Sequence, residues 1–423
     1  MQQSIFIKEG TGISYVIISL IVYFSYLMLP IVRAYLPQSA RYIVYLIVLS
    51  GAIGGSLYFE FEEWQKIIIF LFVITIFTLL NYFGKWNGKI SPSSYFLENF
   101  LFWAGFFYLI NLKNITPTES TILVNVFSIF TLITLTTTIV GNILYPNASR
   151  FLATNINTNI SYSRLNIGGY DFIYGLVILF PFFISFFRVL KGIRRTVALT
   201  LIMLTLSACF FTEYTTAIII CMIILLIELL SNIKNRALFW VSLIVVIIIF
   251  FVLRNPFSNF LLSIKDFCKS FGLVSIAERI DNIRNVILGR TVSGDAALRS
   301  SSYARSFRSF LNNPIIGCIG EEPNLGGHSE ILDTLGGTGL IGFTFFAVLL
   351  NQHYRNITSY IGSELFWPCI ESFFAFLGVA SVNTVLSSAF IGACLILGPF
   401  IANSISIEQP VESKPLNICK YIR

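Results

Sequence analysis

The sequence predicts an all-α, polytopic membrane helical bundle of about twelve transmembrane helices with one large extracytoplasmic loop. Three observations carry that expectation. Of 423 residues, 56% are hydrophobic and only 12% charged, with 42 phenylalanines among them. Mean hydropathy is +0.79, too apolar for a soluble domain. Apolar runs of about 20 residues recur along the chain, each enough to cross a hydrocarbon core of about 30 Å at about 1.5 Å per residue.

Spanning segments are expected near 13–32, 42–58, 66–83, 94–112, 120–144, 170–188, 195–212, 214–231, 237–253, 330–350, 364–381 and 383–401. The first run is long and lacks a small-residue cleavage site after a short core, so it reads as a retained helix rather than a signal peptide. Only Thr212 and Glu213 separate the seventh and eighth runs, which fits either a tight hairpin or a re-entrant pair. The chain divides into helices 1 to 9 (1–253), a long polar loop (254–327), and helices 10 to 12 with a tail (328–423).

Lysine and arginine placement sets the expected orientation. With the N-terminus inside, thirteen of the 28 basic residues fall on inner segments, six on short outer loops and nine in the long loop. Both termini are therefore expected in the cytoplasm and the long loop outside.

Two outer loops stand out. The first, about 145–169, is rich in asparagine and serine and ends in GGYDFIY, where Gly168 and Gly169 permit a sharp turn into the sixth helix. It serves as a solvated linker, or else Arg164, Tyr170 and Asp171 edge a substrate cleft. The second, about 254–327, opens with Phe260, Ile264, Phe267 and Phe271 at helical spacing, followed by Ile276, Ile280, Ile283 and Ile287. That periodicity predicts amphipathic helices that lie on the membrane surface or cap the bundle as a lid.

Seven cysteines make an odd count. Cys209, Cys221, Cys369 and Cys394 read as packing residues in apolar runs, whereas Cys268 and Cys318 share the long loop and could form one disulfide. No cysteine or histidine spacing suggests a metal site, and no cofactor or nucleic-acid partner is expected.

Chemistry concentrates in the run from Arg299 to Gly342. Arg299, Arg305 and Arg308 are expected on one short helix that ends before Pro314. Positions 305 and 308 share a face, and 299 lies roughly 9 Å earlier along the axis. Three guanidinium groups at that spacing suit a diphosphate; they equally suit a solvated cationic face or anionic lipid headgroups. His328 stands at the foot of the tenth helix, where an imidazole could act as a general base or serve as a polar interfacial residue. Glu330 and Asp333 on the next turn could orient it. Gly336, Gly337, Gly339 and Gly342 permit close helix packing. His353, beside Arg355, is expected to be solvated in a cytoplasmic loop. Glu213 is the clearest boundary acid, though a hairpin turn also explains it.

These residues resemble the Wzy-type O-antigen and capsular polysaccharide polymerases, which share a superfamily with the O-antigen ligases. The resemblance rests on Arg299 opening a loop helix, Tyr303 four residues on and the turn Pro314-Ile315-Ile316-Gly317. It continues with His328-Ser329 leading into Leu332, Leu335 and Gly339-Leu340-Ile341-Gly342. GGYDFIY before the sixth helix is similar to a segment common in such polymerases. One departure is the family's Ser-Arg-Gly-like element near the seventh and eighth helices, replaced here by Thr212-Glu213-Tyr214. A second phosphate contact would then come from Arg33, Arg41 or Arg164.

The resemblance implies a metal-independent, GT-C-like glycosyltransferase of the bacterial cytoplasmic (inner) membrane, acting outside it on undecaprenyl-diphosphate-linked oligosaccharides. Arg299 would bind the donor diphosphate and His328 would activate or position the acceptor hydroxyl. Arg305 and Arg308 join the diphosphate site on spacing alone, with Glu330, Arg164 and Tyr170 in support. Membrane lipids, a chain-length regulator and a flippase are the implied partners. The function expected is polymerase; a ligase delivering glycan to lipid A core or protein, and a lipid-linked oligosaccharide flippase or transporter, are the alternatives. A transporter would be expected to carry internal repeats with midplane charges, and the sequence shows neither.

Overall fold

The computed structural model describes residues 14–54, 61–86, 91–111, 116–154, 161–231, 254–270, scattered positions between 277 and 288, 295–360 and 365–407. Among these, the secondary structure is helical and no strand occurs. The first helices are α1 (Tyr15–Met28), α2 (Pro30–Tyr35), α3 (Gln38–Gly54), α4 (Phe61–Asn81) and α5 (Pro92–Asn111). They are followed by α6 (Pro117–Leu144), α7 (Ala148–Thr154), α8 (Tyr170–Val189), α9 (Gly192–Phe211) and α10 (Thr215–Ser231). The remainder are α11 (Arg254–Ser270), α12 (Asp295–Asn312), α13 (Glu330–Tyr360), α14 (Phe366–Val382) and α15 (Ala389–Ile407).

Five of the described helical stretches are long and apolar enough to cross a membrane: Trp64–Trp86, Pro117–Leu144, Tyr170–Val189, Gly192–Phe211 and Glu330–Ile357. Other expected spans are shorter apolar helices, as at Tyr15–Met28 and Ala389–Ala402. The one expected at 237–253 lies outside the described residues, as do residues 271–276 of the long loop.

α8 is the axis of the bundle. Its sequence is apolar on every side, as a helix must be when other helices enclose it, and Phe172 through Ser185 are all buried. It packs against α9, α10, α14 and α15. α6 begins with a capping box: Thr116 Oγ1 accepts from Glu119 N–H, and the Glu119 carboxylate accepts from Thr116 N–H, so both orphan donors are satisfied before Pro117 starts the helix. At the far end of α8, Arg188 pairs with the buried Glu228 of α10.

α13 is broken at Gly339, whose φ of 61° and ψ of −162° are non-helical. The turn that follows α12 fills the break. Leu340 N–H donates to Pro314 O at 2.8 Å and Ile341 N–H to Ile315 O at 3.2 Å, while Cys318 N–H donates to Gly336 O and Gly337 O. Groups that would have bonded within a straight helix are thereby satisfied by the Pro314–Gly317 turn. Gly336 and Gly337 allow the close packing expected of them, since a Cβ there would stand 2.6 Å from Ser306 O of α12 and 3.0 Å from Gly84 O, whereas Gly339 makes room for the turn: a Cβ on it would stand 2.3 Å from Ile315 O.

Several sequence expectations change. α13 continues beyond residue 350, so His353 is in a helix and only 1% exposed, with its ring edge-on to Phe106 at 5.3 Å. Phe346, Leu349, Leu350, His353 and Ile357 follow helical spacing, and the histidine shares their buried face. Cys268 and Cys318 are both buried and free rather than joined. The last apolar run starts later than expected: 383–388 is a loop, and α15 begins at Ala389 with Ser388 Oγ accepting from Ile391 N–H.

A Gly339→Ala variant should lose about 1–3 kcal/mol, because an L-residue is strained at this φ and its Cβ meets backbone. Gly378→Ala is the control, since its nearest neighbour would be the end of Ile220 at 3.5 Å. Thermal unfolding in detergent should show a lowered midpoint for the first and an unchanged or raised one for the second.

Candidate active site at the Arg299 end of the bundle

α12 lies along the first half of α13 through its small residues. Ser302, Ser306 and Ser309 are buried, and Ser306 Oγ donates to Asp333 Oδ1 at 2.5 Å while accepting from Gly326 N–H at 2.8 Å. Asp333 also accepts from Gly327 N–H and Ser329 N–H, so its carboxylate shapes the turn that carries His328. With the serines facing inward, the helix directs Arg299 and Tyr303 to the end of α14. Arg299 Nη1 donates to Asn383 Oδ1 at 3.3 Å, and Tyr303 Oη to Val382 O at 3.1 Å.

Asn383 joins the two halves of the site. Its side-chain oxygen receives Arg299, and its backbone oxygen receives Glu330 N–H at 3.0 Å, two residues after His328. The same loop is held by Glu330: Oε2 accepts from Val385 N–H at 2.9 Å and Leu386 N–H at 3.0 Å. Lys85 neutralises that buried carboxylate and donates to Thr334 Oγ1 at 2.7 Å. Lys85 reaches it from a π-helical turn, Tyr82–Trp86, that ends α4.

Aromatic side chains surround this junction. Tyr170 donates through its hydroxyl to Thr384 O at 2.8 Å. Its ring lies 4.7 Å from Tyr174 and 6.2 Å from Tyr214, and Tyr174 lies 5.6 Å from Tyr214. Tyr174 feels the charge of Arg299. Tyr214 donates to Ser149 O at 3.1 Å and feels the charge of Arg150, which approaches Glu213 at 3.8 Å. Next to Tyr170, Asp171 lies under the influence of Arg33.

Compared with models of known protein families and with curated protein sequences, the chain matches none.

The sequence-predicted residues separate into two groups. Arg299, Tyr170, Glu330 and the backbone beside His328 meet at Asn383 and its loop. His328 itself is exposed in the turn before α13. Arg305 and Arg308 do share α12, but both are exposed, and Arg305 donates to Ser302 Oγ at 3.4 Å. At about 100° per residue, Arg308 lies half a turn around the axis from Arg299, so the three do not form a one-sided clamp. Arg164 is exposed, with its guanidinium 5.4 Å from the Tyr35 ring centroid, and Arg41 donates to the Arg33 carbonyl.

Sequence reasoning did not single out Asn383, Lys85, Tyr174 or Arg150. The polar letters of VNTVLSSA between apolar runs were the available signal for Asn383. Arg150 had none, since the Thr212-Glu213-Tyr214 turn lacks an arginine and receives one from α7. Glu213 adopts the left-handed φ of 58° that this tight turn requires. Among the described residues no group of three or more His, Cys, Asp or Glu side chains is arranged to hold a metal ion.

The loop segment beside α11 has its own anchor. Asp281 accepts from Lys265 Nζ at 2.8 Å, with Arg284 at 3.6 Å. The Lys265 hydrogen bond, then the two positive charges, hold its carboxyl below the usual range.

Lys85→Ala should destabilise the protein by about 3–5 kcal/mol by stranding a buried carboxylate, and Glu330→Gln should recover part of the loss in the double variant. Denaturation of the three variants checks this. Because the folded Asp281 pKa is depressed, its contribution is complete above the unfolded value of about 3.9 and is lost as pH falls through the lower folded value. Hydrogen exchange across 254–270 should rise over that acid window in the native chain, whereas Asp281→Asn should already be faster at pH 7.

Proposed function

We propose that this protein is a membrane-embedded glycosyltransferase that polymerises a bacterial surface polysaccharide, O-antigen or capsule, from undecaprenyl-diphosphate-linked repeat units. The observation that carries the reading is the junction at Asn383. It joins the helix of Arg299 to the segment after His328, beside three packed tyrosines. A guanidinium supplies the charge that a departing diphosphate needs, tyrosine rings supply faces for sugars, and an exposed imidazole supplies a base.

In the proposed reaction, the hydroxyl oxygen of the acceptor sugar attacks the anomeric carbon of the donor glycan. The bond from that carbon to the diphosphate oxygen breaks, and its electron pair leaves with undecaprenyl diphosphate. Arg299 stabilises the charge that develops on the leaving oxygen. His328 takes the hydroxyl proton. The energy comes from the lipid diphosphate, so no nucleotide is consumed. Arg150 and Arg33, flanking the tyrosines, are better placed than Arg305 and Arg308 to supply further contacts to an anionic donor. This assignment also gives the bundle about twelve spans, with the Asn383 end outside the cytoplasm and both termini within it.

Arg299→Ala and His328→Ala should each leave the protein inserted and abolish long-chain glycan, with at least a 100-fold loss of polymer formation, in line with removal of an oxyanion donor or a general base. Arg308→Ala should retain the polymer ladder. Gel analysis of surface glycan checks all three, and normal ladders from both Arg299→Ala and His328→Ala would overturn the mechanism. A deletion strain that displays single repeat units supports a polymerase. Absence of surface repeats with lipid-linked polymer accumulated outside would mean a ligase, and accumulation on the cytoplasmic leaflet a flippase.

A further inference from the structure

At the other end of α8 is a feature unrelated to the Arg299 site. A cavity of 370 Å³ opens between α6 and α9 over a floor made by α8 and α15. Its size falls within the range of about 300–1,000 Å³ typical of small-molecule sites. The walls are apolar, led by Val124, Phe182, Phe186, Val197 and Ile401, and the lining ends at one cation, Arg194. Lys191, Arg194 and Arg195 are exposed on the first turn of α9 and the residue before it, and the Arg195 guanidinium stacks 4.6 Å above the Phe187 ring. Glu119, the acid at the start of α6, is already engaged: its carboxylate accepts from Ser14 N–H and Thr116 N–H.

We propose that this groove binds one anionic phospholipid of the bilayer, with an acyl chain between α6 and α9 and its phosphate at Lys191 and Arg194. The two halves of the feature match the two halves of such a lipid. An apolar slot in a membrane-spanning bundle takes hydrocarbon, and a basic rim at the helix end takes a headgroup of opposite charge. A neutral lipid would satisfy only the slot. Leu179, Phe182, Phe183 and Phe186 of α8 and Leu201 of α9 are buried side chains that shape one side of the groove, and α6 closes the other side between Thr121 and Leu132.

The test uses the full chain purified in detergent, with phosphatidylglycerol and phosphatidylcholine of equal chain length as probes and native mass spectrometry as the readout. The wild type should retain phosphatidylglycerol preferentially. Lys191→Gln and Arg194→Gln should each cost about fivefold of that preference, the size expected per basic residue near a headgroup. Ser128→Trp, which fills the slot from α6, should abolish retention of both lipids. Equal retention of the two lipids by the wild type would overturn the proposal, as would undiminished retention in Ser128→Trp. If Ser128→Trp fails to fold, the Lys191→Gln/Arg194→Gln double variant decides, and unchanged preference there overturns it. Retention that appears only when residues 408–423 are deleted would place the chain's own terminus in the groove and also refute it.

Discussion

The break in α13 at Gly339 is the constraint from which the candidate site follows. A helix opened at one residue leaves backbone donors and acceptors without partners inside the bundle, where each costs several kcal/mol if left unsatisfied. The Pro314–Gly317 turn supplies them, through Pro314 O, Ile315 O and Cys318 N–H. That turn ends α12, so satisfying the break also fixes where α12 lies. The serines of α12 then seat it on α13, and Arg299 is delivered to the end of α14.

A second constraint acts from below. Glu330 is buried at the start of α13 and bonds to two backbone amides of the 383–388 loop, with Lys85 balancing its charge. A buried ion pair of this kind adds little net stability, but its geometry is specific. It ties α4, α13 and the loop before α15 into one unit, with Asn383 held in the middle. The carboxylate that the sequence suggested as a partner for His328 is therefore committed to positioning the loop that meets Arg299.

The two ends of α8 carry different chemistry along one helix. Tyr170, Asp171 and Tyr174 at its start belong to a polar, aromatic cluster reached by arginines from separate elements. Its second half presents Phe182, Phe183 and Phe186 to an apolar groove bounded by basic residues. An axis buried on all sides can present a different surface at each end, because the neighbouring helices diverge at different heights. The proposed transfer and the proposed lipid contact thus lie at opposite ends of a shared core.

Local physical chemistry was legible in the sequence. Apolar runs marked long membrane-compatible helices, turn residues marked the end of α12 before Pro314, and amphipathic spacing marked α11. The cationic and polar residues concentrated between 299 and 342 marked Arg299 and His328 as candidate site residues. The tertiary structure decided which of these residues meet. Helix rotation sends Arg308 away from Arg299, although the two are nine positions apart on one element. Asn383, Lys85 and Arg150 come from distant segments, so no spacing near the motif could have placed them there. His353 changed from solvated to buried because α13 continues past the expected helix end and carries it onto the face of Leu349 and Leu350. Periodicity within a segment is set by the chain alone, but the partners of a polar group are set by packing between segments.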